Sequence, residues 1–356
     1  MMATCQSLDS ELRAAVRLLL HWTQAPALVD ETAVAEACDA VKRWTDVRGH
    51  MRTAAYFAEA AAFAEPDNPF RANEAGRVCR RAGLDLRAAM WFFRGFGLAV
   101  RLRRHAEATQ ALLGQAALMY HLGEHQASRR FLRKATRRAR RGGQRKQAAF
   151  AQHELVLEAA EARTYSAGER HVLEALWLYP QSHQRFPAFV HDFGYLLAEK
   201  RLYTHALPLL RAVLPLIPRP AEQSVVWANI ARAAAGAGRI QLYRESCDTA
   251  EGLSCEFGEH AAATYSLLAT AAWLTGERER ARQFAAQAQR IAEERRERYP
   301  AARARFVLDG IASDQVPPTE LAPPPENQIE ALTRQCLSRL RKWKPRPNAG
   351  PGPFYP

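Results

Sequence analysis

A chain of 356 residues, 48% of them hydrophobic, can bury a substantial core, and a formal charge of +13 with a pI near 9.8 favours polyanions or acidic proteins as partners. Six cysteines without a CxxC pair argue against a disulfide framework and point to a reduced, cytoplasmic compartment. The most apolar stretches, MWFFRGFGLAV and LPLLRAVLPLIP, each carry an internal arginine and fall short of the ~20 residues a membrane span needs, so no membrane partner is expected.

Residues 1–30 begin with an amphipathic helix over 8–22, where Leu8, Leu12, Ala15, Val16 and Leu19 recur at helical spacing. This predicts an N-terminal cap on the element that follows. Asp9 and Glu11 before a VRLLL run that Arg17 interrupts make it a poor secretory leader.

From 31 to 298 the chain repeats. The stretch 112–135 reads as two short amphipathic helices joined by a Gly-Glu turn, and alignment on Gly123 places equivalent turns at Gly49, Gly83, Arg163, Arg201, Gly238 and Gly276. The intervals are 34, 40, 40, 38, 37 and 38 residues, the period of stacked helix hairpins. Fixed columns support this register. Five residues after each turn stand Ala54, Ala88, Ser128, Gly168, Ala206, Tyr243 and Ala281, small except for Tyr243, so that the second helix can lie close against the first. Nine residues after it come the packing groups Ala58, Phe92, Leu132, Val172, Leu210, Cys247 and Ala285, and twelve after it Ala61, Gly95, Ala135, Ala175, Val213, Ala250 and Ala288. Breaks between hairpins are announced by EPDNP at 65–69, RGGQ at 141–144, YPQS at 179–182 and PRP at 218–220.

After a long charged helix over 283–298, residues 299–316 predict a short closing helix. The proline-rich segment 317–325 reads as a semi-rigid linker. Behind it, 326–344 form an amphipathic basic helix whose stripe of Ile329, Leu332, Cys336, Leu337, Leu340 and Trp343 must be buried, by folding back over the end of the array or in a partner's groove. Residues 345–356 read as a disordered tail.

The Phe193-Gly194 and Ala75-Gly76 pairs, the run Ala281, Ala285, Ala288 and Pro66 closing the first unit resemble the tetratricopeptide repeat family, in a degenerate variant with a longer period. The resemblance implies an all-α, right-handed superhelical solenoid of about seven helix-turn-helix repeats with a tethered C-terminal helix. It also implies a soluble protein-binding module, an adaptor, chaperone or regulatory sensor, monomeric or weakly dimeric, that holds a peptide or partner helix on the concave face lined by the first helix of each unit. The family's groove offsets select Asn73, Arg77, Arg80 and Arg81 in the second unit, Gln110 and Tyr120 in the third, His153 in the fourth, His191 and Tyr195 in the fifth, Arg232 in the sixth and Trp273 in the seventh, with Asp39, Arg43 and Asp46 in the first. An arginine fork can hold a carboxylate in two parallel hydrogen bonds. The implied groove is basic near the second and third units and aromatic toward the C-terminal end, which suits an acidic peptide.

A second reading rests on residues 129–146, RRFLRKATRRARRGGQRK, with ten basic residues and no acid. Arg130, Lys134, Arg137, Arg138, Arg141 and Arg145 could contact nucleic-acid phosphates by counterion release. No aromatic residue is interleaved on that face for base stacking. The bland counterpart is a solvated face in a chain whose 44 arginines against six lysines reflect coding bias.

HLGEH at 121–125 has the spacing of an inverted zinc-protease motif, but Gly123 and Glu124 form the repeat turn, which removes the helical geometry that motif needs. No phosphate loop, nucleophile elbow or carboxylate cluster is evident. Neither an enzyme nor a cofactor or metal is expected.

Overall fold

The computed structural model describes residues 10–180, 182–295, 297–315 and 328–344. The linker over 317–325, the tail over 345–356 and the first nine residues lie outside the described residues. Among the described residues all regular secondary structure is helical: seventeen α-helices and short 3-10 turns at Pro26–Leu28 and Leu214–Leu216.

Helix α1 (Ser10–Gln24) packs Leu12 and Ala15 against Ala37 and Val41 of α2 (Glu31–Val47). Seven hairpins follow at the turns the repeat register marks. They pair α2 with α3 (Met51–Ala64), α4 (Pro69–Arg81) with α5 (Asp85–Arg101), α6 (His105–His121) with α7 (His125–Arg141) and α8 (Arg145–Glu161) with α9 (Tyr165–Leu178). The last three join α10 (Phe186–Glu199) to α11 (Tyr203–Val213), α12 (Pro220–Gly236) to α13 (Ile240–Phe257) and α14 (Ala261–Leu274) to α15 (Arg278–Arg295). Local signals start these helices. Asp30 accepts a hydrogen bond from Ala33 N, Asn68 accepts from Phe70 N, and prolines sit in the first turns of α4, α10 and α12, where an N–H would have no helical partner.

All seven hairpin turns have the same stereochemistry. Gly49, Gly83, Gly123, Arg163, Arg201, Gly238 and Gly276 have φ between +53° and +81°. At Gly49 the glycine N–H bonds to Asp46 O at 3.1 Å and the next N–H to Thr45 O at 2.9 Å, the double bond of a Schellman cap. The connections after α5 and α7 use the same cap, at Arg103 (φ +56°) and Gly143 (φ +63°). So does Asp314 (φ +53°), 38 residues beyond Gly276, with Gln315 N bonded to Gly310 O at 2.9 Å. Helix α16 (Arg298–Ala312) therefore ends as the first helix of every hairpin does, and it packs on α14 and α15.

Every residue in the three alignment columns is buried. Tyr243, the one large member of its column, is accommodated because its hydroxyl donates to Glu277 Oε2 at 2.9 Å. The helix expected over 283–298 begins earlier and ends earlier, at Arg295, because Pro300 fits only in the first turn of a new helix and so marks a separate α16.

Helix α17 (Gln328–Arg341) buries Ile329, Leu332, Cys336 and Leu340 and packs on α9, α10 and α11 rather than over the end of the array. The reason is local. The chain leaves α9 at Tyr179 in an extended conformation and reaches α10 without a tight cap, and the Arg339 guanidinium supplies donors to Leu176 O and to Tyr179 O, the latter at 2.7 Å. Trp343 Nε1 donates to His183 O at 3.0 Å. Cys38, Cys79, Cys247 and Cys336 are buried free thiols, and no described helix is long and apolar enough to cross a membrane.

The chain divides into two compact units. The first holds the described residues of Met1–Met119 with Gln126–Gln147, the second those of Tyr120–His125 with Ala148–Pro356.

Candidate functional site

In the first unit, the first-helix face expected to be basic is internally neutralised. Asp39 receives Lys42 Nζ at 2.6 Å and the Arg71 guanidinium, which also bonds Glu65 at 3.2 Å. Arg77 grips Glu74 with two bonds of 2.8 and 3.1 Å, and Arg81 meets Asp46 at 2.8 Å. Asn73 is buried, its amide donating to Glu107 O at 2.9 Å and its Oδ1 pressed against the α-carbon side of Gly95. The expectation of an open arginine and asparagine clamp for a carboxylate is corrected here. Glu74, which closes Arg77, stands three residues away on the same helix, whereas Asp46, which closes Arg81, stands 35 residues away, about one repeat. Pairing charges across the repeat columns would have exposed this. Arg43 is exposed, Arg80 half-buried and Gln110 exposed, and these three form no common site with Asn73 among the described contacts.

In the second unit, by contrast, the predicted positions Tyr120, Tyr195 and Arg232 converge. They meet at the C-terminal ends of α6, α8, α10 and α12, and α16 lies on them. Tyr195 OH donates to Glu161 Oε1 at 2.7 Å, and Tyr120 OH reaches the same oxygen at 3.3 Å. Tyr299 of α16 places its hydroxyl 2.5 Å from that of Tyr195. One turn later in α16, Arg303 donates to Tyr195 OH and Glu199 Oε1, each at 2.6 Å, and to Tyr299 OH. Arg232 Nη1 donates to Glu199 Oε1 at 2.7 Å.

The two carboxylates respond in opposite directions. Burial raises the Glu161 carboxyl to about 7, since Arg303 only partly offsets it while nearby Glu199 pushes it further up. Burial would raise Glu199 too, but Arg232 and Arg303 together hold it at about 2. Burial also lifts the Tyr120 and Tyr195 hydroxyls well above the ordinary phenol range. Two acids and the phenols of Tyr195 and Tyr299 thus surround the Arg303 guanidinium, a local charge opposite to the basic groove that the sequence predicts. Glu161, Glu199, Tyr299 and Arg303 were not among the sequence candidates. The signals were the i, i+4 spacing of Tyr299 and Arg303 and the 38-residue step from Gly276 to Asp314.

Trp273 lies further along α16, its indole buried under Gly310, where a β-carbon would fall 2.6 Å from the ring. Phe306 meets it edge to face at 5.8 Å, and the Arg163 guanidinium covers Phe306. Arg298 approaches Glu124 at 3.8 Å. Through residues of this unit the resident helix thus touches hairpins three, four, five and seven.

His153 and His191 belong to a sealed network instead. His153 Nε2 is 2.6 Å from Asp192 Oδ2 and its Nδ1 is 3.0 Å from Tyr179 OH; His191 Nδ1 is 2.8 Å from Asp192 Oδ1 and its Nε2 is 3.2 Å from Asn229. Burial opposes the Asp192 charge, but hydrogen bonds from both histidines hold its carboxyl at about 2. All of these side chains except Asn229 belong to α8, α10 or the end of α9, and all are buried, His153 fully and His191 nearly so. They lock α8 to α10 and α12 rather than face a ligand.

The basic run lies on α7 of the first unit. Arg130, Arg133, Lys134, Arg137 and Arg141 are exposed and form no ion pair among the described residues, while Arg138 is half-buried over the Phe96 ring and Arg145 is exposed. In the HLGEH stretch the left-handed Gly123 separates the end of α6 from the start of α7, and no group of three or more His, Cys, Asp or Glu among the described residues is arranged to hold a metal ion.

No family model matches the sequence, and no curated protein matches it either. Solved structures do. The APC/C hetero-tetramer Cut9-Hcn1 superposes with a TM-score of 0.55 at 13% identity, over 85% of this chain and 56% of that one, so the chain spans little more than half the length of that relative. The apo form of the quorum sensor NprR from B. thuringiensis gives 0.51 at 12% identity, over 85% of this chain and 98% of that one. A tetratricopeptide repeat protein from Parabacteroides merdae gives 0.46 at 16% identity, over 78% and 98%. With seven hairpins turning at positive φ and their buried columns, the chain has an all-α, tetratricopeptide-repeat-like fold.

Proposed function

We propose that the protein is a protein-interaction module of the adaptor or regulatory-sensor kind, and that the first-helix face of its second unit receives a helix. The observation that carries this reading is α16 itself, a helix seated on that face through Tyr299 and Arg303. The receptor's chemistry selects a helix bearing an arginine four residues after an aromatic group, because Glu199 and the Glu161–Tyr195 pair are placed for a guanidinium. A partner of that kind competes with α16 for the site.

A labelled peptide of residues 297–315 tests this when added to the full-length protein and read by fluorescence anisotropy. Arg303→Glu in the protein places a third acid at the site and releases α16, so the peptide binds this variant and not the wild type. The same peptide with Arg303→Ala does not bind. If hydrogen exchange shows α16 released in the variant and the peptide still fails to bind, the reading is wrong.

The unpaired face of α7 supports a second activity, contact with nucleic-acid phosphates. In the same unit Arg71, Arg77, Arg81, Arg87 and Arg101 each pair with a carboxylate, whereas Arg130, Arg133, Lys134, Arg137 and Arg141 have none among the described residues and share one helical face. Binding to duplex DNA that weakens about 10³-fold between ~50 and ~200 mM salt, and disappears on reversing Arg130, Arg137 and Arg141 to Glu, is the expected result. Salt-independent binding, or none, removes this reading.

A further inference from the structure

The second helices of the first unit carry an apolar stripe that the receptor site does not use. On α5, Leu86 (77% exposed), Met90 (65%), Phe93 (75%), Gly97 and Val100 (46%) stand at successive steps of four, three, four and three residues. That is the spacing of a coiled-coil seam, held over fifteen residues with a rise of ~21 Å. Side chains at these positions ordinarily insert between those of a second helix. Here they point to solvent.

We infer that this stripe is a two-fold interface in which α5 pairs antiparallel with α5 of a second copy of this chain, Phe93 lying at the axis. The seam is self-complementary about Phe93. Leu86 and Val100 stand seven residues to either side and face each other, and Met90, three residues before Phe93, comes level with Phe96, beside Gly97, where a β-carbon would meet nothing within 4 Å. Such matching of a surface to its own rotated image is what a closed dimer requires.

The rim supports the same occupant. Arg87 is bonded to Glu59 at 2.8 Å and Arg101 to Asp67 at 2.6 Å, so these two arginines beside the seam are compensated within their own copy, while Arg94 donates to the neutral Pro66 carbonyl at 2.9 Å. Tyr56 and Phe63 of α3 extend the patch on one flank, joined to α5 by Arg87 stacked on Tyr56 and by Phe63 edge-on to Trp91 at 5.1 Å. Helix α7 lies on the other flank, marked by Arg138 over Phe96. An antiparallel two-fold sets like flanks together, the α3 aromatics of one copy beside those of the other and the α7 cations beside α7 cations, so the dimer should tighten as salt rises. The exposed apolar side chains of Leu86, Met90, Phe93, Val100, Tyr56 and Phe63 amount to roughly 700 Å² per copy. That approaches the ~800 Å² per partner of a standard stable interface and exceeds the ~300–600 Å² of a typical monomer's largest patch.

The test uses the full-length chain in a Cys5→Ser, Cys255→Ser background. Light scattering at micromolar concentration should give twice the chain mass, falling to one chain mass in Phe93→Glu with unchanged far-UV circular dichroism. Phe93→Cys should form a disulfide with its own counterpart, and Leu86→Cys mixed with Val100→Cys should cross-link while Leu86→Cys alone does not. A monomeric wild type overturns the inference. So does a dimer that survives Phe93→Glu, or a Leu86→Cys self-cross-link, which would mean parallel helices. A monomer that floats with vesicles of phosphatidylcholine and phosphatidylserine would make the stripe a membrane face, and that also overturns it.

Discussion

Arg303 of α16 lies 2.6 Å from Glu199 of α10, two residues 104 positions apart whose pairing seats one helix on the ends of several others. Removing one member of a buried charge pair costs about 3–5 kcal/mol, because the other is left uncompensated. Arg232 still reaches Glu199, so the lower end of that range is expected for Arg303→Ala. Denaturant unfolding measures the loss, and hydrogen exchange should place the new mobility in α16. Full stability in this variant would show that packing on α14 and α15 alone holds the helix.

The two carboxylates of the receptor give the second unit a pH signature. Glu161 has its folded value raised from 4.5 to about 7, so the folded state binds the extra proton and stability falls as pH rises through that window. Glu199 is held at about 2, so its contribution is present above 4.5 and is lost as pH falls toward 2. Stability from this pair is greatest near pH 5. Melting temperatures across pH should show the decline between pH 5 and 7 in the wild type and its absence in Glu161→Gln. An unaltered slope in that variant would place the titrating group elsewhere.

What the sequence disclosed and what it withheld follow from one physical distinction. A left-handed turn and a close helix contact restrict the residue at a fixed position, so Gly123, Gly238 and the Ala281, Ala285, Ala288 run carry the register in the letters themselves. Even Arg163 and Arg201 were placed by that register although arginine gives no hint of positive φ. The groove residues are another matter. Asn73 and Arg81 look free until their partners, the Glu107 carbonyl and the Asp46 carboxylate, are assigned, and a partner in a neighbouring repeat is invisible to a search along one helix. Seating α16 on Tyr195 needed a contact over about a hundred residues, which no local pattern specifies.

The turns can be tested in both directions. Arg201 holds φ at +62°, a conformation that costs an L-residue about 1–2 kcal/mol relative to glycine, partly offset by glycine's greater freedom when unfolded. Arg201→Gly should therefore stabilise the protein by about 0.5–1 kcal/mol. At Gly238, φ +70°, an alanine should cost about 1 kcal/mol although its β-carbon meets nothing within 4 Å. Opposite signs in urea unfolding confirm that conformation and not packing sets the preference. Equal signs would refute it.

Helix α17 makes a last, separable prediction. Its Arg339 stacks at 4.4 Å over Phe186 and serves the carbonyls at the end of α9, so one side chain both caps a helix and anchors another. Charge-assisted hydrogen bonds of this kind contribute about 1.5–3 kcal/mol. In Arg339→Ala, α17 should lose most of its exchange protection, and the segment from Tyr179 to Arg185 should open with it, since the same guanidinium orders both. The four buried side chains Ile329, Leu332, Cys336 and Leu340 still favour docking, so α17 should detach reversibly without unfolding the unit. Arg339→Lys, with one ammonium in place of the planar fork, cannot reach both carbonyls with the same geometry and should recover only part of the protection. Exchange rates in α17 that match the wild type in both variants would show that its apolar stripe alone positions it, and that the cap on α9 is incidental.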